Sequence, residues 1–358
     1  MLNHLKFINE AHMIAAKNLG STFPNPTVGC IVSKNNKIIS KAVTSSTGRP
    51  HAEEIALKKA GKDANGATMY VTLEPCFHSS QNGSCTDQIL RSGIKEIYIS
   101  CIDQDPRTKN KSITKLKRNN IKVITGIEKE KTIGVNKFFF SSLKKRKPFT
   151  KVKMAISKDE KIAWSNYKSK WITNAKSRLY VHKIRATSQA ILTTSKTIIN
   201  DNPRFTVRKG NKIIKFLNVV VIDKDLKIPL NTNVLKNLHE KRLIIFTNKK
   251  NAKSKKLKQL GCEIIEINKF KNQLSLKKIF STLYKLKISD LIVEAGGILF
   301  SKLIQAKLVD ELHLFKASFS IGDKGIPVIK GMDLKNLNKK ILKSKKFDDN
   351  IYFKFDII

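Results

Sequence analysis

Cysteine is scarce in this 358-residue chain, with five residues at positions 30, 76, 85, 101 and 262. An odd, sparse set in so long a chain excludes a secreted disulfide framework. It points to a reducing compartment, where thiolates serve metals or chemistry. Acidic residues are few as well: 28 Asp and Glu face 70 Lys and Arg, a formal net charge of +42 at pH 7. Arginine contributes little of that excess, 10 Arg against 60 Lys. Base and phosphate readout favours arginine's planar fork, which lysine lacks. The lysines are also spread along the whole chain, so the expected role is a solvated charged surface, with no nucleic-acid partner. No apolar run approaches the ~20 residues that cross a bilayer. Met1-Leu2-Asn3-His4-Leu5-Lys6 lacks the apolar core of a secretory signal. A cytoplasmic protein without a membrane partner is expected. An apolar fraction of 41% excludes a disordered chain, and no internal repeat or low-complexity tract is present.

What is there is an α/β pattern, twice over. In the first half, helices are expected over Leu5–Leu19, Glu53–Ala60, Thr86–Ser92 and Ser112–Asn119. Strands are expected over Val28–Val32, Lys37–Val43, Thr68–Thr72, Glu96–Cys101 and Lys122–Thr125. A charged run ending in proline, Ser141 to Pro148, reads as a linker, so the domains are placed at 1–145 and 149–358. Beyond it, strands are expected over Lys151–Ile156, Ala190–Thr193, Leu217–Ile222, Leu243–Phe246, Leu291–Glu294, Glu311–Phe315 and Ile351–Phe355. Helices lie around Ala175–Ala186, Ser275–Lys287 and Ile298–Ala306.

The strongest signal is His51-Ala52-Glu53, followed by Leu73-Glu74-Pro75-Cys76 and then Cys85. A catalytic zinc takes three protein ligands and keeps one position open for water. His51, Cys76 and Cys85 offer an imidazole and two thiolates, which suit zinc's borderline softness. Glu53 follows His51 by two residues, the H-x-E spacing in which zinc deaminases place their proton-carrying glutamate. Pro75 suits a helix start, where backbone amides would hold the Cys76 thiolate. His78 is the alternative fourth ligand of a purely structural site, while Cys30 and Cys101 fall in strand patterns and read as core. The expected chemistry is the hydrolytic removal of an exocyclic amine from a nitrogen heterocycle.

Three runs, Pro24-Asn25-Pro26-Thr27-Val28-Gly29-Cys30, Gly48-Arg49-Pro50-His51-Ala52-Glu53 and Tyr70-Val71-Thr72-Leu73-Glu74-Pro75-Cys76, carry a wider likeness. So do Lys170-Trp171-Ile172-Thr173, Ile184-Arg185-Ala186, Asp201-Asn202-Pro203 and Val293-Glu294-Ala295-Gly296-Gly297. With these, and with eight residues separating Cys76 from Cys85, the chain resembles the bifunctional riboflavin-biosynthesis deaminase/reductase family over nearly its whole length. The resemblance implies a cytidine-deaminase-like α/β/α domain followed by a dihydrofolate-reductase-like α/β domain, with Zn2+ and NADPH as cofactors. It implies deamination of 2,5-diamino-6-ribosylamino-4(3H)-pyrimidinone 5′-phosphate, then reduction of the ribosyl group to ribityl, in a homo-oligomer. Two alternatives stand beside it: a reductase with an impaired deaminase half, and a zinc deaminase acting on nucleic acid.

For the second half the resemblance places Ala155, Trp171, Thr197, Asp201, Gly296 and Gly297 at the cofactor, and Ser169, Arg185, Phe205, Arg208 and Glu294 at the substrate. From the residues alone Trp171 reads as core, and Gly296-Gly297 as either a phosphate-approaching turn or a plain strand-to-helix turn. Arg185 and Arg208, among so few arginines, suit a substrate phosphate or a surface ion pair. Beyond Asp201, the sequence identifies no proton donor for the reduction.

Overall fold

The computed structural model describes residues 2–78, 83–164, 171–270, 273–329 and 333–358. The chain divides into two compact units, Met1–Arg146 and Lys147–Ile358. The first opens with helix α1 (Leu2–Lys17), hairpin β1 (Gly29–Lys34) and β2 (Lys37–Val43), helix α2 (Ala52–Ala60) and strand β3 (Thr68–Leu73). There follow α3 (Cys85–Arg91), β4 (Glu96–Cys101), α4 (Lys111–Arg118), β5 (Lys122–Thr125), α5 (Lys129–Val135) and α6 (Lys137–Lys145). The sheet runs β2-β1-β3-β4-β5, with β3, β4 and β5 parallel and β1 antiparallel to both its neighbours.

Side-chain alternation on the strands builds the layers. Ile31, Tyr70 and Tyr98 pack on one face with Phe7, Ile8 and Ala11 of α1. Their strand neighbours Cys30, Val32, Met69, Val71, Ile97 and Ile99 pack on the other, with Ala52 and Ala56 of α2, Ile89 of α3 and Leu116 of α4. Both faces are covered, as parallel sheets require. Cys30 and Cys101 are core here, and burial raises both thiols' pKa values.

The expected linker is mostly helix. Ser141 to Lys145 finish α6, and Pro148 lies just before the next strand. Phe138 and Ser142 are buried, so one face of α6 packs inward while Lys144 and Lys145 are exposed.

The second unit contains β6 (Phe149–Ile156), β7 (Lys161–Trp164), α7 (Ala175–Ala186), β8 (Ala190–Thr194), α8 (Ser195–Asp201) and the hairpin β9 (Thr206–Lys209) and β10 (Lys212–Phe216). It continues with β11 (Asn218–Ile222), β12 (Leu243–Thr247), α9 (Ala252–Gln259), β13 (Glu263–Glu266), β14 (Lys269–Phe270), β15 (Gln273–Leu274) and α10 (Leu276–Lys285). The last elements are β16 (Asp290–Val293), α11 (Gly297–Gln305), β17 (Glu311–Lys316), β18 (Gly325–Pro327), β19 (Lys339–Phe347) and β20 (Asn350–Ile357). Nine strands form one sheet, ordered β13-β12-β11-β8-β16-β6-β17-β20-β19. The first seven are parallel, and β20 and β19 close one edge antiparallel. Alternation again fills both faces. Leu192, Val220, Ile244 and Phe246 meet α10 and α11 on one side, while Ile191, Val219, Val221 and Ile245 meet α7 and α9 on the other. Each such buried aliphatic contributes roughly 1.5–3 kcal/mol. The carboxyl ends of the parallel strands then lie along one rim, where α/β sheets present their ligand sites. Among the described residues no helix is long and apolar enough to cross a membrane.

Candidate functional site

In the first unit, β3 delivers Leu73 to Cys76 at its carboxyl end, beside the N-termini of α2 and α3. His51 is the N-cap residue of α2, and Glu53 lies in that helix's first turn, 3% exposed. Cys85 is the first residue of α3, whose start is fixed by a capping box between Ser84 and Asp87. Cys76 does not open a helix, contrary to the expectation from Pro75. It sits in the loop after β3, and its sulfur is met by the amide of Cys85 at 3.3 Å, so the helix N-terminus holding the thiolate is that of α3. The hydroxyl of Thr86 donates to the Cys76 carbonyl at 2.9 Å and locks the loop to the helix.

His51 Nδ1 lies 3.3 Å from Cys85 Sγ, and the ligand atoms of His51, Cys76 and Cys85 all fall within 4.8 Å of one another. Tetrahedral bonds of about 2.0–2.3 Å hold ligand atoms roughly 3.3–3.8 Å apart, so this donor set fits zinc with little adjustment. His78 is not part of the cluster, and its buried Nδ1 has no hydrogen-bond partner among the described residues. Three protein ligands remain among the described residues, which leaves a fourth corner for water.

The electrostatics suit a metal. The hydrogen bond with Cys85 lowers the Cys76 pKa, with His51 adding to it against burial, while Cys85 is pushed up by the same shared bond and by burial. Burial alone would lower His51, but its bond to Cys76 and the charge of Glu53 outweigh it and raise the imidazole. Burial raises the Glu53 pKa against the opposing pull of His51.

The loop that faces this site hangs on Glu74. Its Oε2 accepts from the amides of Asp103 at 3.2 Å and Asn110 at 3.1 Å, and its Oε1 accepts from Ser112 Oγ at 2.7 Å. Sequence reasoning treated Glu74 only as part of a motif. Its position next to Pro75-Cys76, at the end of a buried strand, was the signal to look for.

In the second unit a cleft of about 1620 Å³ opens on the carboxyl ends of β8, β11 and β16. Its size leaves room for a dinucleotide and a second ligand, since single-ligand sites run to ~1,000 Å³. Ala155, Trp171, Thr197, Asp201, Arg185, Phe205, Arg208, Glu294, Gly296 and Gly297 all line it, while Ser169 lies outside the described residues. Trp171 is not core: it is 59% exposed, with the Arg178 guanidinium 4.4 Å from its ring centre. Gly296 caps α11, and a side chain there would meet nothing within 4 Å, so the amide end of the helix faces open space. Gly297 is needed for packing instead, because a Cβ would stand 2.4 Å from the Val328 carbonyl. This open cradle beside a wide cleft fits a dinucleotide pyrophosphate.

Arg185 is committed within the protein. Its Nε and Nη2 donate to the two oxygens of Glu294 at 2.7 and 2.8 Å, and Nη1 donates to the Thr206 carbonyl at 3.3 Å. Burial would raise the Glu294 pKa, but Arg185 and Lys153 hold it down at about 2. Arg185 also lies 6.0 Å from the ring centre of Phe205, a residue at a positive φ of 49°. Such backbone in a non-glycine residue costs about 1–3 kcal/mol and clusters at ligand sites. Lys153 and His182 also line the cleft, and the sequence reading gave neither of them a role. Lys153 is hidden among 60 lysines, whereas His182 stands three residues before Arg185 on one helix face, a spacing that could have revealed it. The Arg208 amide donates to His182 Nδ1 at 3.2 Å, which leaves the ring proton on Nε2; burial and the charges of Arg185 and Arg208 lower the ring's pKa.

Comparison with known proteins gives each unit a family. Residues 148–353 match the RibD C-terminal domain, and residues 1–101 match the cytidine and deoxycytidylate deaminase zinc-binding region. The riboflavin biosynthesis protein RibD of Aquifex aeolicus (strain VF5) is 36% identical over 354 residues, 97% of each chain. That of Escherichia coli (strain K12) is 30% identical over 339 residues, 91% of each chain. Acinetobacter baumannii RibD superposes with a TM-score of 0.90 at 29% identity, over 99% of both chains. The diaminohydroxyphosphoribosylaminopyrimidine deaminase/5-amino-6-(5-phosphoribosylamino)uracil reductase of Thermotoga maritima does so at 0.85 and 29%, again over 99% of both. The chain therefore belongs to the RibD family of riboflavin-biosynthesis enzymes, a zinc-dependent deaminase followed by an NADPH-dependent reductase.

Proposed function

We propose that the first unit deaminates 2,5-diamino-6-ribosylamino-4(3H)-pyrimidinone 5′-phosphate, and that the second reduces the ribosyl group of the product to ribityl. The convergence of His51, Cys76 and Cys85 beside a buried Glu53, in a chain of this family, carries the reading. Bound zinc supplies a water acidified toward neutral pH. Glu53 would carry one proton of that water to the ring nitrogen and, after the hydroxide has added, the proton of the added hydroxyl to the amine, which leaves as ammonia. Glu74 positions the loop from Asp103 to Ser112 over the ring.

In the reductase, NADPH supplies the hydride. Gly296 and Gly297 offer backbone amides to its pyrophosphate, while Ala155, Trp171, Thr197 and Asp201 line its path. Glu294, held as an anion by Arg185, accepts substrate hydroxyls. With Arg185's fork already occupied, the ribotide phosphate falls to Arg208, with the Nε2 proton of His182 beside it.

The test follows ammonia release and NADPH oxidation separately, with the diamino-pyrimidinone ribotide as substrate. Both signals, ammonia first, are expected. Neither signal would end the reading, and oxidation only with pre-deaminated substrate would assign the chain a reductase alone.

A further inference from the structure

Residues 102–147 lie between the two matched regions, 1–101 and 148–353. Among them Asn136 closes α5 and opens α6, and it is 1% exposed. Its side chain reaches out of that corner to the backbone of Thr27, 109 positions earlier. The Thr27 amide donates to Asn136 Oδ1 at 2.8 Å, and Asn136 Nδ2 donates to the Thr27 carbonyl at 2.9 Å. Two residues further on, Phe138 of α6 meets Phe23 edge to face, with ring centres 4.6 Å apart. One helix corner therefore holds both ends of the segment 23–27.

That segment in turn holds the approach to His51. Asn25 Nδ2 donates to the Gly48 carbonyl at 2.9 Å, and the Thr47 amide donates to the Ser21 carbonyl at 3.1 Å. The contact is tight. Gly48 has a φ of +87°, and a Cβ there would stand 2.7 Å from Asn25 Nδ2 and 2.8 Å from the Thr22 carbonyl oxygen. Only Arg49 and Pro50 separate Gly48 from His51, and the Ser45 amide donates to the Pro50 carbonyl at 3.1 Å, which closes the loop on itself. With alanine at position 136, the buried amide and carbonyl of Thr27 lose this partner away from water, and the segment loses its anchor.

We propose that Asn136 is a positioning residue for the deaminase: through the segment 23–27 and Asn25 it fixes the loop that presents His51 to the metal. The proposal rests on the zinc-deaminase reading given above. Groups that orient a metal ligand from behind account for about 10–100-fold in metal affinity or activity, and Asn136 acts one contact further out.

The test uses the full chain and reads zinc affinity by competition with a chelator, ammonia release, and NADPH oxidation with pre-deaminated substrate. Asn136→Ala and Asn25→Ala should each weaken zinc binding by about tenfold and slow ammonia release by a similar factor, while NADPH oxidation keeps its wild-type rate. The double variant should bind zinc no more weakly than the worse single variant, because both changes cut the same line of contacts. A residue that only stabilised the fold would lower the melting temperature of Asn136→Ala and leave the zinc affinity of the folded protein unchanged. That result, or losses that add in the double variant, overturns the proposal and leaves the deaminase reading standing. Should Asn136→Ala fail to fold, Asn25→Ala decides alone, and wild-type zinc affinity in it overturns the proposal. A wild type that binds no zinc removes the deaminase reading and the proposal together.

Discussion

Glu53 shows how much of the site depends on single side chains. Its carboxyl is buried beside His51 and is no metal ligand, so Glu53→Gln should keep zinc at wild-type content and fold normally. Ammonia release should fall by about 10²–10⁴-fold, the usual contribution of a placed acid–base group. Unchanged turnover in that variant would remove its role. Asp103 offers a test by pH. Burial, aided by the charges of Asp105 and Glu74 and opposed by the Asp105 amide, raises its pKa from 3.8 to about 7. The folded value exceeds the unfolded one, so the group's stabilising contribution is complete below pH ~4 and is lost as pH rises through 7. Urea denaturation at pH 5 and pH 7.5 should show this loss in the wild type. Asp103→Asn should remove roughly 2–4 kcal/mol of the difference. At this scale the sequence was most legible where residue chemistry is restrictive. Imidazole, thiolates and glutamate at fixed spacing admit few uses, whereas Lys153 carries no mark among its many neighbours. The fork of Arg185 looked suited to phosphate because nothing in the sequence shows that Glu294, 109 positions away, already fills it.

At the scale of elements, hydrophobic alternation located the central strands to within a residue or two, since a strand buried on both faces can hardly be anything else. What it did not find were elements with other reasons to exist. Strand β19 carries Lys339, Lys340, Lys343, Lys345 and Lys346 and is exposed along nearly its whole length. It forms because β20 offers a ladder, and its lysines discourage other chains from pairing with the sheet edge. The end of α6, Ser141 to Lys145, reads as linker in the sequence because its charged face dominates a short run. The start of α11 yields a paired prediction. Gly297→Ala should cost roughly 1–3 kcal/mol of stability, since the added carbon meets the Val328 carbonyl. Gly296→Ala meets open space, so it should melt like the wild type yet bind NADPH more weakly. Thermal melts and cofactor titration separate the two, and equal melting temperatures would contradict the account of Gly297.

For the whole molecule, two α/β units divide the chemistry between a metal-bound water and a dinucleotide cleft. The charge of +42 is a surface property laid over both. Everything assigned to the first unit depends on zinc held at His51, Cys76 and Cys85 with one corner open. Zinc K-edge absorption on the purified full chain, with metal analysis, tests this directly. The account predicts one zinc per chain, with two sulfurs at about 2.3 Å and two nitrogen or oxygen neighbours at about 2.0–2.1 Å, one of them water. His78→Ala should leave that spectrum unchanged. A chain that folds without zinc, or a spectrum in which His78→Ala removes a ligand, would contradict it.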